Sequence, residues 1–277
     1  VTVELAAIDA GFSAKAAEYD ELGRSHPVVM WMRRRIRGLV ESEVRPGAAI
    51  LELNAGSGLD AAHFAAKGYR VHATDVAAGM LDAAAEKATR PECGGRMTVE
   101  RRSFTELADV PGAPYDLVFS NLGGLNCVED LTAVTRALPQ MLKTGGAVVL
   151  VVMPPVCPWE MAEAFRGHFA TAFRRFNRGG TPAHVEGASV HTWYHTAGAV
   201  QRALGPSFTT VARRSFCLFS PPSYFAGFVR RHPRVASALM GFDDAIGGLW
   251  PFNRVGDFVA VVARFEKQTA GSAGIRY

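Results

Sequence analysis

The chain has 277 residues, 48% of them hydrophobic, with 17 phenylalanines and a net charge of +4, enough apolar mass for a buried core in one large or two small domains. Its four cysteines are widely spaced with no C-x-x-C pair, which points to reduced thiols in a cytoplasmic protein and gives no zinc signature. No apolar run approaches twenty residues and no signal peptide opens the chain, so neither a membrane span nor export is expected, and the mild basicity signals nucleic acid only weakly.

Residues 1–20 are predicted to form a helix, with Phe12, Ala16, Ala17 and Tyr19 apolar. Pro27 opens a second, Val28 to Val44, whose Val29, Met32, Ile36, Leu39 and Val40 form one stripe. Arg33, Arg34, Arg35 and Arg37 fall largely off that stripe and read as a solvated face. A first strand, Ala49–Leu53, leads to a helix from Leu59 to Lys67, with Gly68 as its C-cap. A second strand, Tyr69–Thr74, leads to a helix from near Ala78 to Ala88, and Ala77 offers it no capping side chain. Strand three is Met97–Arg101. Strand four, Asp116 to Asn121, and strand five, Ala147–Met153, are apolar enough to be covered on both faces, with a helix from about Glu129 to Leu142 between them. Strands alternating with helices at this spacing predict a doubly wound α/β fold with right-handed crossovers.

Beyond strand five the pattern is interrupted. A stiff loop, Pro154 to Trp159, precedes a helical stretch Trp159–Phe176, a polar stretch Asn177–Ser189 and an extended His191–His195. A helix at Ala197–Leu204 and a strand at Phe208–Phe219 follow, then an insert, Pro221 to Asn253, and a last strand, Asp257–Phe265. The expectation is a single Rossmann-like domain over residues 1–277 with a seven-stranded sheet and helices on both faces. Helical inserts at about 154–195 and 221–254 would form a lid, because pockets in open sheets lie beyond the carboxyl ends of the strands.

The most informative stretch is Glu52-x-Asn54-x-Gly56-x-Gly58, a strand running through a small-residue turn into a helix, followed by a second strand that ends in Asp75. Glycines let the turn fold sharply, helix-opening amides attract an anionic group, and an acid after strand two can accept hydrogen bonds from a ribose diol. The spacing misses the G-x-G-x-x-G dinucleotide fingerprint, and the Gly-Lys-Ser/Thr of a phosphate loop is absent. The stretch resembles the E/D-x-G-x-G-x-G loop of class I S-adenosylmethionine-dependent methyltransferases, closest to small-molecule members of the ubiquinone-biosynthesis type. The resemblance runs from about Tyr19 to Phe265. It departs at Asn54, where the family usually has glycine, and asparagine tolerates left-handed backbone.

That resemblance implies S-adenosylmethionine as cofactor and S-adenosylhomocysteine as product. It places Tyr19 over the ligand, Asp75 on the ribose, and Val76 and Met80 against adenine. Backbone at Asn54, Ala55, Gly56 and Gly58 would line the methionine portion, with Glu52 ordering the loop or the amino group. Ser103 and Phe104 hold the positions of the family's adenine-facing pair, and Asn121 and Leu122 would lie beside the methionine tail. Helices of relatives often start with a capping Ser or Thr at the place of Ala77.

A methyl sulfonium is already activated, so transfer needs alignment and a dry site, and a base only if the nucleophile keeps its proton. Candidate bases are His191, His184 and His195, with Tyr194 as an orienter. Trp159, Phe165, Trp193 and His184 are candidates for a substrate wall. His191 and His195 have metal-pair spacing only on a helix and lack a third ligand, so no metal is expected. Cys127 reads as a small buried residue. Ser120-Asn121-Leu122-Gly123 stands where amino-methylating DNA enzymes carry a Pro-Pro motif, which disfavours amino-methylation of bases. The reading is an enzyme moving a methyl group by in-line displacement to an O, N or C nucleophile of a small molecule. A cofactor-binding regulatory protein and an RNA methyltransferase are the alternatives, and the oligomeric state stays open.

Overall fold

The longest apolar run of the sequence forms an interior strand of the sheet. In the computed structural model, which describes residues 5–185 and 188–267, β5 (Leu142–Val152) is buried throughout from Gly146 onward. Around it lie β1 (Ala49–Leu53), β2 (Arg70–Asp75), β3 (Met97–Arg101), β4 (Tyr115–Ser120), and the C-terminal pair described below as β8 (Phe208–Phe216) and β9 (Phe258–Phe265). The strand order is β3-β2-β1-β4-β5-β9-β8. The first five strands are parallel, whereas β9 is antiparallel to both β5 and β8. The order reverses between β1 and β4, and that switch point opens a crevice beyond the carboxyl ends of the two strands.

Each face of the sheet carries its own core. On one face α3 (Pro27–Glu43) lays Val28, Met32, Ile36 and Val40 against Phe64 of α4 (Leu59–Ala66) and Phe119 of β4. The same face receives α11 (Ala226–Arg231) and α12 (Pro233–Ile246) through Val229 and Ala236. On the other face, α6 (Thr132–Thr135), α7 (Leu138–Met141) and α10 (Ala197–Leu204) cover Leu51, Val118 and Leu150. Residues four apart fall on one helical face, so the α3 stripe is buried by its periodicity alone.

Several elements differ from the sequence expectation. The N-terminal helix is two helices, α1 (Leu5–Ala14) and α2 (Ala16–Ser25), with α5 (Ala78–Ala88) packed beside both. The helix expected from Glu129 is two four-residue turns, α6 and α7; Pro139 opens the second, and its ring lacks the N–H that would continue the first. The stretch expected as one helix, Trp159–Phe176, is broken into α8 (Pro158–Ala162), α9 (Phe169–Phe173) and two 3-10 turns, with Gly167 left-handed at φ 82 in the break. The polar stretch from Asn177 contains a strand: β6 (Thr181–Val185) pairs antiparallel with β7 (Ala188–Thr192) as a separate hairpin. Pro182 is tolerated because a two-stranded ribbon is all edge.

A buried ion cluster fixes the first insert to the sheet. Glu160, 1% exposed, accepts hydrogen bonds from Arg174 (2.8 and 2.6 Å), Arg175 (2.7 Å) and the Tyr224 hydroxyl (3.1 Å). Arg175 also donates to Asp257 at the start of β9 (2.6 Å). Cys157, Glu160 and Asp257 bring their ligand atoms within 4.8 Å of one another, but the two guanidiniums already occupy the carboxylates. Burial acts to raise the Glu160 carboxyl, and the hydrogen bonds from Arg174 and Arg175 outweigh it, bringing it down to about 2. A carboxylate depressed on folding stabilises above its unfolded pKa, and that stabilisation is lost as pH falls through the folded one. The shift is worth about 3 kcal/mol. Glu160→Gln is therefore expected to be less stable than wild type at pH 7, with the gap closing between about pH 4.5 and 2; urea titrations across that range check it.

Candidate active site

Three left-handed residues shape the turn after β1: Asn54 (φ 47), Gly56 (φ 56) and Gly58 (φ 75). Gly58 is required by space as well as by backbone, since a Cβ there would stand 2.8 Å from both Ala84 Cβ and Met97 Cε. Asn54 uses its side chain rather than merely tolerating the turn. Its Oδ1 accepts from Ser120 (2.6 Å) and its Nδ2 donates to the Asn121 carbonyl (3.1 Å), tying the β1 turn to the loop after β4. Gly124 makes this possible, because a Cβ on it would lie 2.3 Å from Asn54 Nδ2.

Asp75 closes the other side of the turn. Its Oδ2 accepts from the Gly56 amide (2.8 Å), and its Oδ1 from the amides of Val76 (2.8 Å) and Ala77 (2.9 Å). Burial pushes this carboxyl up, and the three amide bonds oppose that without cancelling it. Oδ1 is saturated by its two amides, whereas Oδ2, with one, keeps a lone pair for a further donor. The start of α5, which lacks a cap at Ala77, is capped from a distance. Ala78 N donates to Asp9 (2.8 Å) and Gly79 N to Ser13 (2.9 Å), both residues of α1.

A cavity opens where these elements meet. Its floor is Asn54, Gly56 and Asp75; Val76, Met80 and Phe104 form one wall, and Asn121, Leu122 and Gly123 another. Ile8 and Phe12 of α1, Tyr19 of α2, and Ala183, Val190 and Thr192 of the hairpin cover it. Cys127 and Met153 also line it. The Cys127 thiol is pushed up by burial, and further by Asp75, to about 12, so it stays neutral.

Behind the turn lies a charged layer. Asp60, 2% exposed, accepts from Arg33, from Arg37 Nε (2.7 Å) and from Asn121 Nδ2 (2.7 Å). The solvated-face reading is thereby corrected for Arg33: it is 6% exposed, and its guanidinium lies 5.7 Å from the centre of the Tyr19 ring. Burial works to raise the Asp60 carboxyl, and the two arginines hold it low. Glu52, at the end of β1, is raised well above the usual carboxylate range by burial and then by Asp60, and its Oε2 has no partner among the described residues.

Among the expected cofactor residues, the structure gathers Tyr19, Asn54, Gly56, Asp75, Val76, Met80, Phe104, Asn121 and Leu122 around one cavity. Glu52, Ala55 and Gly58 support the turn from behind, and Ser103 spends its hydroxyl on Thr105 (2.8 Å). The catalytic candidates lie elsewhere. His191 bonds the Gly179 carbonyl (2.8 Å) with its ring 4.6 Å from that of Trp193, Tyr194 lies 5.2 Å from the Arg175 guanidinium, and His195 bonds the Val128 carbonyl (2.8 Å). Trp159 packs on Phe225 and Phe228 and donates to the Phe219 carbonyl, and Phe165 is 95% exposed. None of these lines the cavity. The His184 side chain lies outside the described residues. No described residue of 221–254 lines the cavity either, and the part of the first insert that covers it is the hairpin. Sequence reasoning missed Ile8, Phe12, Val190 and Thr192, although i, i+4 spacing on a helix and i, i+2 spacing on a strand put each pair on one face.

Residues 50–146 match a family model described as "Methyltransferase domain". A curated relative, the malonyl-[acyl-carrier protein] O-methyltransferase of Serratia marcescens, is 28% identical over 167 residues, 60% of this chain and 60% of that enzyme. Among solved structures, the CcbJ methyltransferase of Streptomyces caelestis superposes with a TM-score of 0.60 at 16% identity, covering 93% of this chain and 98% of that one. The 1,6-didemethyltoxoflavin-N1-methyltransferase of Burkholderia thailandensis, solved with its substrate and S-adenosylhomocysteine, superposes with a TM-score of 0.56 at 16% identity, over 95% and 88% of the two chains. These structural likenesses establish the fold.

Proposed function

We propose, on the premise that this chain is by domain and fold a class I S-adenosylmethionine-dependent methyltransferase, that it methylates a small, largely apolar molecule in the cytoplasm. The observation that carries this reading is the Asp75 carboxylate bonded at 2.8 Å to the Gly56 amide, at the floor of a cavity that also reaches Asn121. The residues present fit the cofactor. Asp75 Oδ2 keeps a lone pair for a ribose hydroxyl, Val76, Met80 and Phe104 offer apolar walls for adenine, and the turn at Gly56 admits the amino-acid portion. The cofactor supplies an activated methyl group on a sulfonium.

The chain's own part is to align and to dry. Ile8, Phe12, Met153 and Val190 present apolar surface to the cavity, which excludes water and favours an apolar acceptor. Holding the two reactants in line contributes about 7–11 kcal/mol to such a reaction. The neutral Cys127 thiol does not compete as a nucleophile. The four cysteines are free thiols, in keeping with a reducing compartment, and no helix among the described residues is long and apolar enough to cross a membrane. Incubation with S-adenosylmethionine and a cell extract, followed by mass spectrometry, tests the reading. Formation of S-adenosylhomocysteine together with a product 14 mass units heavier is expected; cofactor binding without turnover in any extract would favour a regulatory protein.

The cover is latched by Asp9 and Ser13 of α1 on the first amides of α5. Losing such a cap costs about 1 kcal/mol. Asp9→Ala is therefore expected to release S-adenosylhomocysteine about fivefold faster, as read by stopped-flow fluorescence, with an unchanged circular dichroism spectrum.

A further inference from the structure

A second concavity, of about 740 Å³, lies on the outer side of the charged layer, between α2, α3, α4 and the end of α5. Its floor is apolar, with Leu59, Ala62 and Ala66, and its walls are basic. Two carboxylates there are each shared by two cations, Asp20 by Arg24 and Lys87 and Asp60 by Arg33 and Arg37, whereas Glu41 pairs with Lys67 beside His63, which burial holds below its ordinary pKa, and Glu92 also lines the cleft. Sharing leaves positive charge uncompensated. Two further cations stand at the rim. Arg34 is exposed and has no ion-pair partner among the described residues, and Arg90 is held only loosely by Glu86 at 3.4 Å. Buried within the wall, the Arg33 Nε has no hydrogen-bond partner. Guanidiniums and ammoniums converging from four helices on one concavity match a ligand with several phosphate oxygens, and the size suits a small molecule.

We propose that this cleft binds a small polyanion, a di- or triphosphate, and that its occupancy is transmitted to the cavity through Arg33, Asp60 and Asn121. Arg33 faces the cleft and holds Asp60, and Asp60 accepts from Asn121, which lines the cavity. Arg33 also lies against the Tyr19 ring, part of the cavity's cover. An anion that draws Arg33 or Arg37 toward the cleft changes the hold on Asn121 and Tyr19. Coupling of this kind is reciprocal, so the cofactor changes the anion's affinity by the same factor.

The test is calorimetric titration of the full chain with sodium tripolyphosphate, and separately with ATP, at matched ionic strength. Saturable binding is expected, weakened at least tenfold in Arg34→Glu, while that variant binds S-adenosylhomocysteine as wild type does in the absence of the anion. Equal affinity for the two anions identifies the phosphates as the ligand, and tighter ATP binding identifies a nucleotide. With tripolyphosphate present, the affinity for S-adenosylhomocysteine shifts at least threefold. Absence of saturable heat, equal binding by Arg34→Glu, or an unshifted S-adenosylhomocysteine affinity would overturn the proposal, as would tight binding of RNA with none of tripolyphosphate. Should S-adenosylhomocysteine itself fail to bind, the cofactor reading falls, and the tripolyphosphate titration still decides the cleft.

Discussion

Asp75→Asn is expected to weaken S-adenosylhomocysteine binding at least a hundredfold, although the side chain hardly changes shape. Both Asp75 oxygens already accept backbone amides, from Gly56 on one side and from Val76 and Ala77 on the other. Asparagine places an NH2 against one of these donors, so at least one amide loses its acceptor and the Gly56 turn or the α5 start must shift. Each lost hydrogen bond to a charged group costs about 1.5–3 kcal/mol. The ribose diol would lose its carboxylate in addition. Calorimetry of wild type and variant reads the loss, and a melting temperature within a few degrees of wild type would separate a binding effect from unfolding. An Asp75→Asn protein that binds as wild type would remove the carboxylate from the site.

Asp60→Ala is expected to destabilise the fold by about 3–5 kcal/mol, the usual cost of removing one partner from a buried ion cluster. The variant leaves Arg33, 6% exposed, without its carboxylate, and releases Arg37 and Asn121 together. Urea unfolding measures it. The double variant Asp60→Ala, Arg33→Met is expected to recover much of the loss, because it removes the stranded charge as well. Recovery by the second substitution distinguishes a charge penalty from a simple cavity, since it adds nothing to fill the space that Asp60 leaves.

Much of this site could be read from the sequence because it is built from backbone. A left-handed turn leaves a glycine signature, a strand ending in Asp75 leaves an acid at a fixed distance, and both are local. The role of Asn54 was legible only as tolerance for a turn; its bridge to Ser120 and Asn121 depends on the space left by Gly124, seventy residues further on. Arg33 departs from the solvated face that Arg34 and Arg35 keep, for a related reason. Periodicity places Arg33 beside the apolar stripe, but only the tertiary fold brings Asp60 across to meet it. The catalytic histidines rested on chemical type alone. His191 and His195 each hold a backbone carbonyl, and nothing local distinguishes such a histidine from a base. Covering residues such as Ile8 and Val190 carry no chemistry, so composition does not mark them, and the cap that Asp9 and Ser13 give α5 links segments some seventy residues apart.

The most direct test of the central claim is a crystal structure of the complex with S-adenosylhomocysteine. The expected result is ligand density in the cavity between α1 and the switch point, with a ribose hydroxyl donating to Asp75 Oδ2, adenine between Met80 and Phe104, and the homocysteine tail between Gly56 and Asn121. Density for the ligand outside this cavity, or inside it with the ribose turned away from Asp75, would contradict the account.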